Sequence, residues 1–337
     1  MMANMIGNME LPFWLESSWS QVQQMLTDDR LPHGLVISGM LGLGKRQLAD
    51  TLAASLLCHA PVMPQQLACG QCKSCLLRQS GSHPDLKYLQ PEAEGKAILV
   101  DMVRQIQPWL AATSQQGGAK VVLIEPANEL NANAANALLK NLEEPGQNTF
   151  FILLHHWPKP LLPTIRSRCQ VHTVLAPAAE QVQPWLAQQV PEAKAEQLIQ
   201  VQQMAHGAPL LAADYLRHDA PAQRHQTLVD LTAILRNQIS VSEVAESWAK
   251  DPLPRRLDWW LQWQQDLIKL QQTQDSQQVI NQDVVKLLQA IARKAEIKAV
   301  FSLYDDTLQA LDSLYQRRNI NQQLMLEKLL YGWYQLI

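Results

Sequence analysis

The sequence predicts a parallel α/β core with a phosphate-binding loop, followed by a region that is helical to its last residues. Apolar runs typical of buried parallel strands alternate with helical segments up to about residue 173. A glycine-rich turn follows the first of these runs and leads into a helix, which is the order that a phosphate-binding loop requires. From residue 219 onward the 337-residue chain is rich in Leu and Gln, and its pattern is helical.

Composition narrows the classes of function. The hydrophobic content of 47% supports well-packed cores. A formal net charge of -3 gives no overall basic surface, so any contact with nucleic acid must be local. No Lys or Arg precedes Arg30, so the charged segment of a signal peptide is missing, and no apolar run approaches membrane-spanning length. We therefore expect a soluble cytoplasmic protein without a membrane partner.

The residues from Gly39 to Arg46 have the outline of the motif Gly-x-x-x-x-Gly-Lys-Ser/Thr. In the intact motif, backbone N–H groups and the lysine bind phosphates, while the final hydroxyl binds Mg²⁺. Gly39, Gly44 and Lys45 fit this pattern, but Arg46 stands at the hydroxyl position. A guanidinium has no acceptor and cannot ligate a cation. A chance glycine cluster is less favoured because strand, turn and helix follow in order. We expect a degenerate loop that holds no cofactor.

Cysteine spacing after the loop helix predicts a structural zinc site formed by Cys58, Cys69, Cys72 and Cys75. Two-residue gaps let neighbouring sulfurs point at one ion, and four protein ligands leave no open position for catalysis. In a cytoplasmic protein such cysteines favour metal binding over disulfides. Free structural thiols are the alternative, and a redox disulfide is less favoured still. His83 is a further candidate ligand, although its position in a turn favours a structural role.

Local patterns predict the other elements of the core. A helix is predicted from Leu11 to Arg30, and the helix after the loop should end near Cys58. Asp101 is the predicted N-cap of a later helix, and Asn133 to Glu144 form another that Pro145–Gly146 ends. Short apolar runs predict further strands at Leu86–Leu89, Val121–Ile124, Phe150–Leu154 and Val171–Val174.

The acidic residues that a working ATPase needs are altered in this chain. Such enzymes usually place an Asp for Mg²⁺ after the strand that corresponds to Val121–Ile124, and many add a Glu that activates water. This chain has Glu125 followed by Pro126, and proline has no side-chain base. Two separate catalytic features are therefore changed or absent: the hydroxyl that Arg46 replaces and the water-activating acid that Pro126 replaces. The sequence therefore predicts no intrinsic ATP hydrolysis.

Two proline-containing segments, Ala176–Pro177 and Asp219–Pro221, suggest domain boundaries. The predicted domains are an α/β domain at 1–173 with the cysteine segment 58–75 inserted, a small helical domain at 174–218, and a helical C-terminal domain at 219–337. Trp259, Trp260 and Trp263 crowd one helix of the last domain. A stacking platform for single strands is one interpretation, but no basic residues lie among them, which favours a packed helical core.

Together these features resemble the AAA+ clamp-loader family of bacterial DNA polymerase III over essentially the whole chain. The most specific elements are the inserted cysteine segment, Asn136–Pro145 and Ser167–Cys169. The segment Asn319–Glu327, with Asn321 as the N-cap of the last helix, also fits.

The resemblance also separates the kinds of subunit. Motor subunits of the family have Thr or Ser after the loop lysine, an acidic pair after the second strand, and an arginine near a Gly-Ser pair. This chain has Arg46, Glu125–Pro126 and Gly207–Leu210 without that arginine. The departures point to a non-catalytic subunit.

This resemblance implies an AAA+ core, a small helical lid and a C-terminal helical collar. It implies a hetero-pentamer with motor and delta-type subunits, which opens a sliding clamp and places it on primer-template DNA. Arg168 would be an arginine finger that reaches the ATP of a neighbouring subunit, and Arg104, one turn after Val100–Asp101, would touch the DNA backbone. Two alternatives stay open: an active motor subunit, in which Glu125 holds Mg²⁺ through water and Lys45 binds phosphate, and a zinc-bearing nucleic-acid module.

Overall fold

The computed structural model describes residues 11–93, 95–250 and 253–337. The chain divides into two compact units, of which the first ends at Pro177 and the second begins at Ala178. The finer division into domains at 1–173, 174–218 and 219–337 stays a prediction.

A five-stranded, wholly parallel sheet forms the centre of the first unit, in the order β2-β3-β4-β1-β5. The continuous apolar runs become strands because helices cover both faces, and β3 is buried along its whole length. This confirms the predicted parallel α/β core. The strands are β1 Gly34–Met40, β2 Leu86–Leu89, β3 Lys120–Ile124, β4 Thr149–Trp157 and β5 Gln170–Thr173.

The strand order determines which loops meet. Because β4 lies between β1 and β3, the glycine-rich loop after β1 and the acidic residue after β3 flank the last residues of β4. The carboxyl ends of parallel strands share one edge of a sheet, where such folds place their ligands. The candidate phosphate loop, Glu125 and the histidines at the end of β4 therefore occupy the same edge.

Helices of the first unit begin and end close to their predicted positions, with two differences. Phe13–Leu15 form a 3₁₀ turn after Pro12, so the N-terminal helix is shorter than predicted. The prediction of Asp101 as an N-cap is wrong: Leu99 is the N-cap, and Asp101 lies in the first turn, where an acid suits the helix dipole. The α-helices are α1 Glu16–Thr27, α2 Lys45–Leu57, α3 Lys73–Gln79, α4 Val100–Ala111, α5 Ala132–Glu143 and α6 Pro163–Arg166.

The regular secondary structure described in the second unit is all helical, as predicted. Its core contains five fully buried tryptophans, among them Trp259, Trp260 and Trp263, so the interpretation as a stacking platform is wrong. Asn321 accepts a hydrogen bond from Leu324 N at 3.1 Å, which confirms it as an N-cap. The α-helices are α7 Ala179–Gln189, α8 Ala195–Met204, α9 Pro209–Arg217, α10 Ala220–Leu235, α11 Val241–Trp248, α12 Leu253–Thr273, α13 Val285–Ala292, α14 Ile297–Tyr315 and α15 Gln322–Tyr334.

The segment Asp219–Pro221, which suggested a domain boundary, is mostly helical. Asp219 is the N-cap of α10, and Pro221 lies in its first turn, where the missing N–H of proline is not needed. Across the described ranges, no helix combines the length and the apolar character that crossing a membrane demands.

Candidate functional site

The loop between β1 and α2 has the shape that its glycines predict. Gly39 and Gly44 have φ values of 153° and 83°, and a Cβ on Gly39 would lie 2.5 Å from the carbonyl oxygen of Val174. Trp14 Nε1 donates a hydrogen bond to the Leu43 carbonyl at 3.0 Å, so the N-terminal segment packs against the loop. The backbone of the loop is thus fixed by neighbours of the same chain.

Lys45, the residue that would reach a terminal phosphate, is turned back onto its own loop. Its Nζ donates to the carbonyl oxygens of Gly39 at 2.8 Å and Met40 at 2.5 Å, and the residue is buried. Burial lowers the pKa of Lys45 to about 7, although the carboxylate of Glu125 opposes this shift. A phosphate would have to take this ammonium group away from two carbonyls.

Arg46 contacts the acidic residue that in an ATPase would serve the metal. Its Nη1 donates to Glu125 Oε2 at 2.5 Å and its Nε to Asp50 Oδ2 at 2.8 Å, while the guanidinium lies 5.0 Å from the centre of the Tyr88 ring. Burial alone would lower the pKa of Arg46, but the two carboxylates outweigh burial and raise it. The cation beside Glu125 is therefore a permanently charged side chain of this chain.

Two histidines at the end of β4, His155 and His156, complete the group formed by Lys45, Arg46 and Glu125. His156 Nε2 lies 3.8 Å from Glu125 Oε1, but burial, helped by Lys45 and His155, lowers the pKa of His156 to about 3, so the ring is neutral. His155 Nδ1 is hydrogen-bonded to Ser38 Oγ at 2.8 Å. No sequence pattern had predicted a role for either histidine. Their position at the carboxyl end of a buried strand was the signal that could have identified them.

The four predicted cysteine ligands lie together. The sulfur atoms of Cys58, Cys69, Cys72 and Cys75 all lie within 4.8 Å of one another. Three of the separations are 3.5, 3.9 and 4.0 Å. A tetrahedral Zn²⁺ with Zn–S bonds of about 2.3 Å would place the sulfurs about 3.8 Å apart. The donor set and its spacing fit one zinc ion with every position filled by protein.

Backbone amides point at the sulfurs. The N–H groups of Cys69, Cys72 and Cys75 donate to the Sγ atoms of Cys58, Cys69 and Cys72 at 3.3, 3.4 and 3.5 Å, respectively. Gly70, with φ 72°, allows the turn between the first pair. Hydrogen bonds from amides favour the charged thiolate, which is the form that binds a metal.

His83 supports the cysteine cluster without taking part in it. Its Nδ1 accepts a hydrogen bond from the Asp85 amide at 3.1 Å, and its Nε2 is hydrogen-bonded to Ser74 Oγ at 2.7 Å. Ser74 in turn donates to the Leu57 carbonyl at 2.5 Å. Since both ring nitrogens are in use, His83 is a structural residue that connects α3 to the turn before β2, while Ser74 connects α3 to the end of α2.

The two predicted functional arginines each contact an acidic residue. Arg168, just after α6, places Nε and Nη2 at 2.6 and 2.5 Å from Glu143 Oε1. Arg104 on α4 lies 3.1 Å from Asp101, and both side chains are largely exposed. Neither arginine contacts the phosphate loop or the cysteine cluster within the part of the chain that the structure describes. Arg104 is an exposed surface group, whereas Arg168 is about one-third exposed and its guanidinium is paired within the chain.

Comparison with known proteins identifies the family to which this chain belongs. Residues 14–177 match a family model described as DNA polymerase III, delta subunit, and residues 218–335 match the model of its C-terminal part. The chain is 38% identical to the DNA polymerase III subunit delta' of Pseudomonas aeruginosa, with 95% of this chain and 96% of the relative covered. It is 31% identical to the Yersinia pestis subunit, with coverage of 95% and 94%. It is 30% identical to the Escherichia coli subunit, with coverage of 94% and 93%. The chain therefore belongs to the DNA polymerase III delta' subunit family.

Proposed function

We propose that this chain is a non-catalytic subunit of the DNA polymerase III clamp loader. It would give Arg168 to the ATP site of a neighbouring subunit and help to load the sliding clamp onto primed DNA. The observation that carries the non-catalytic assignment is the ion pair between Arg46 and Glu125, which places a side-chain cation where an ATPase needs a metal. Family membership supplies the assembly in which such a subunit acts.

The alternative, an active motor subunit, needs Glu125 and Lys45 to be available. Glu125 would have to bind Mg²⁺ through water, but its carboxylate holds Arg46 at 2.5 Å. Lys45 would have to reach a phosphate, but its ammonium group is bound to two loop carbonyls. Pro126 offers no base. These contacts favour the non-catalytic subunit.

The partners that we propose follow from the family. The chain would join motor and delta-type subunits in a hetero-pentamer, with helices of the C-terminal region forming the collar. The complex would act in the cytoplasm on the sliding clamp and primer-template DNA. Cys58, Cys69, Cys72 and Cys75 would hold a structural Zn²⁺, which contributes folding energy and no catalytic chemistry, because no ligand position is left open.

The isolated chain is expected to hydrolyse no ATP above background. The carboxylate of Glu125 is paired with Arg46, and Pro126 has no side chain that could activate water. Phosphate release with and without Mg²⁺ measures this, with Lys45→Ala as the control for contamination. Turnover in the wild-type chain that disappears in Lys45→Ala would contradict the proposal and favour a motor subunit.

One Zn²⁺ per chain is expected, and Cys72→Ser should lower metal content and melting temperature together, because three ligands hold the ion less tightly and the remaining thiolates repel one another. Elemental analysis and thermal unfolding measure the two effects. Cys169→Ser, outside the cluster, should leave the metal content unchanged. Freshly purified protein without zinc, prepared without chelator, would rule out the site.

Arg104→Ala is expected to weaken DNA-dependent clamp loading equally on all sequences and to reduce the slope of log affinity against log salt by about one, since one phosphate contact is lost. Binding of primer-template DNA to the reconstituted complex over a salt series tests this. Arg30→Ala removes the same charge elsewhere on the surface and serves as the control. An unchanged slope would make Arg104 an ordinary surface residue.

Arg168→Ala is expected to leave folding, zinc content and assembly intact while impairing ATP hydrolysis at one interface and slowing clamp loading. A guanidinium donated in trans contributes on the order of 10³ or more in rate at a single site, but other sites keep their own arginines and total turnover falls by less. Arg168→Lys should rescue poorly because an ammonium lacks the planar fork. Clamp loading at limiting ATP is the measurement, with Arg166→Ala as the control. Wild-type loading by the alanine variant would disprove the assignment.

A further inference from the structure

Every nitrogen of the Arg168 guanidinium has an oxygen of its own chain nearby. Nε donates to Glu143 Oε1 at 2.6 Å, and Nη2 lies 2.5 Å from the same oxygen. Nη1 donates to the Thr164 carbonyl at 3.0 Å and to Ser167 Oγ at 3.3 Å. The edge of the guanidinium that carries Nε and Nη2 is one with which arginine binds carboxylate or phosphate oxygens. In this chain a carboxylate oxygen already lies there.

The position of Glu143 is not explained by the stability of its helix. It is the last residue of α5, where the negative end of the helix dipole disfavours a carboxylate. Its side chain is half exposed, so solvent could hydrate it without help from an arginine. The contact with Arg168 joins α5 to the segment after α6, two elements that are 25 residues apart in sequence at this point. The arginine gives the carboxylate at this position a specific partner.

We propose that Glu143 is a latch for Arg168, an internal carboxylate that orders the arginine in the free subunit and is displaced by phosphate oxygens of the neighbour's nucleotide. This inference rests on the proposed role of Arg168 as a finger. The contact is a partly exposed ion pair, so breaking it changes an equilibrium by a factor of about two to five. A triphosphate carries more negative charge than one carboxylate and can therefore displace it. Glu143 is thus a positioning residue that competes with the nucleotide.

The latch predicts a change in nucleotide affinity without a change in maximal rate. Glu143→Gln keeps the shape of the side chain and removes its charge. In the reconstituted complex, this variant should lower the ATP concentration for half-maximal single-turnover hydrolysis at this interface by about two- to fivefold. The maximal rate should not change, because the arginine is equally available once the phosphate is bound. Glu144→Gln removes the same charge at the adjacent residue and is the matched control, expected to behave as wild type.

Three outcomes would overturn the latch: a lower maximal rate with unchanged half-saturation in Glu143→Gln, an equal shift in Glu144→Gln, or a shift that persists when Arg168→Ala is combined with Glu143→Gln. Glu143→Asp, a shorter carboxylate, should lie between wild type and Glu143→Gln and guards against an effect of misfolding.

A second measurement distinguishes a failure of the latch from a failure of the proposed function. If Arg168→Ala alone leaves ATP hydrolysis unchanged, the finger assignment fails. The latch contact is still measured in the free full-length chain by NMR, through hydrogen exchange of the Arg168 Nε–H group. Glu143→Gln should speed this exchange and Glu144→Gln should not. Equal exchange in wild type and Glu143→Gln would show that no latch exists.

Discussion

The ion pair between Arg46 and Glu125 is the interaction on which the arrangement of the candidate site depends. It joins residues 79 positions apart and connects the loop after β1 to the end of β3, with β4 between the two strands. In an ATPase, a metal shared by loop and acid would make that connection only when nucleotide is bound. Here a guanidinium makes it permanently. Lys45 meanwhile donates to two carbonyl oxygens of its own loop.

The sheet, most helix positions and the helical second unit could be predicted because each depends on local patterns of apolar residues. Val121–Ile124 is apolar at every position, which is typical of a strand covered on both faces. The error at Asp101 was also local, since Leu99 and Asp101 are both near the helix start and only the backbone angles distinguish them. The four cysteines were predictable because their spacing limits how far apart the sulfurs can be.

Contacts between distant elements could not be predicted from the sequence. The sequence indicated that Arg46 cannot bind a metal, but not that it would hold Glu125, because that pairing depends on the strand order. The same is true of His83 and Ser74, whose hydrogen bond connects α3 with the turn before β2. Glu143 was included in a family motif without a role of its own. Its contact with Arg168 requires α5 and α6 to pack side by side, which the strand pattern does not determine.

The loop between β1 and α2, whose lysine is bound to carbonyls of the loop itself, has a consequence for the order of subunits in an assembly. When ATP sites form between adjacent subunits, each site needs one subunit that holds the nucleotide and one that contributes an arginine. Under the proposed function, a chain in which Lys45 and Arg46 are paired with groups of the same chain, and in which Arg168 is the finger, would contribute to a site without holding a nucleotide. Such a subunit would stand at one end of the series of sites. The arginine at position 46 would thereby mark where the series of ATP sites ends.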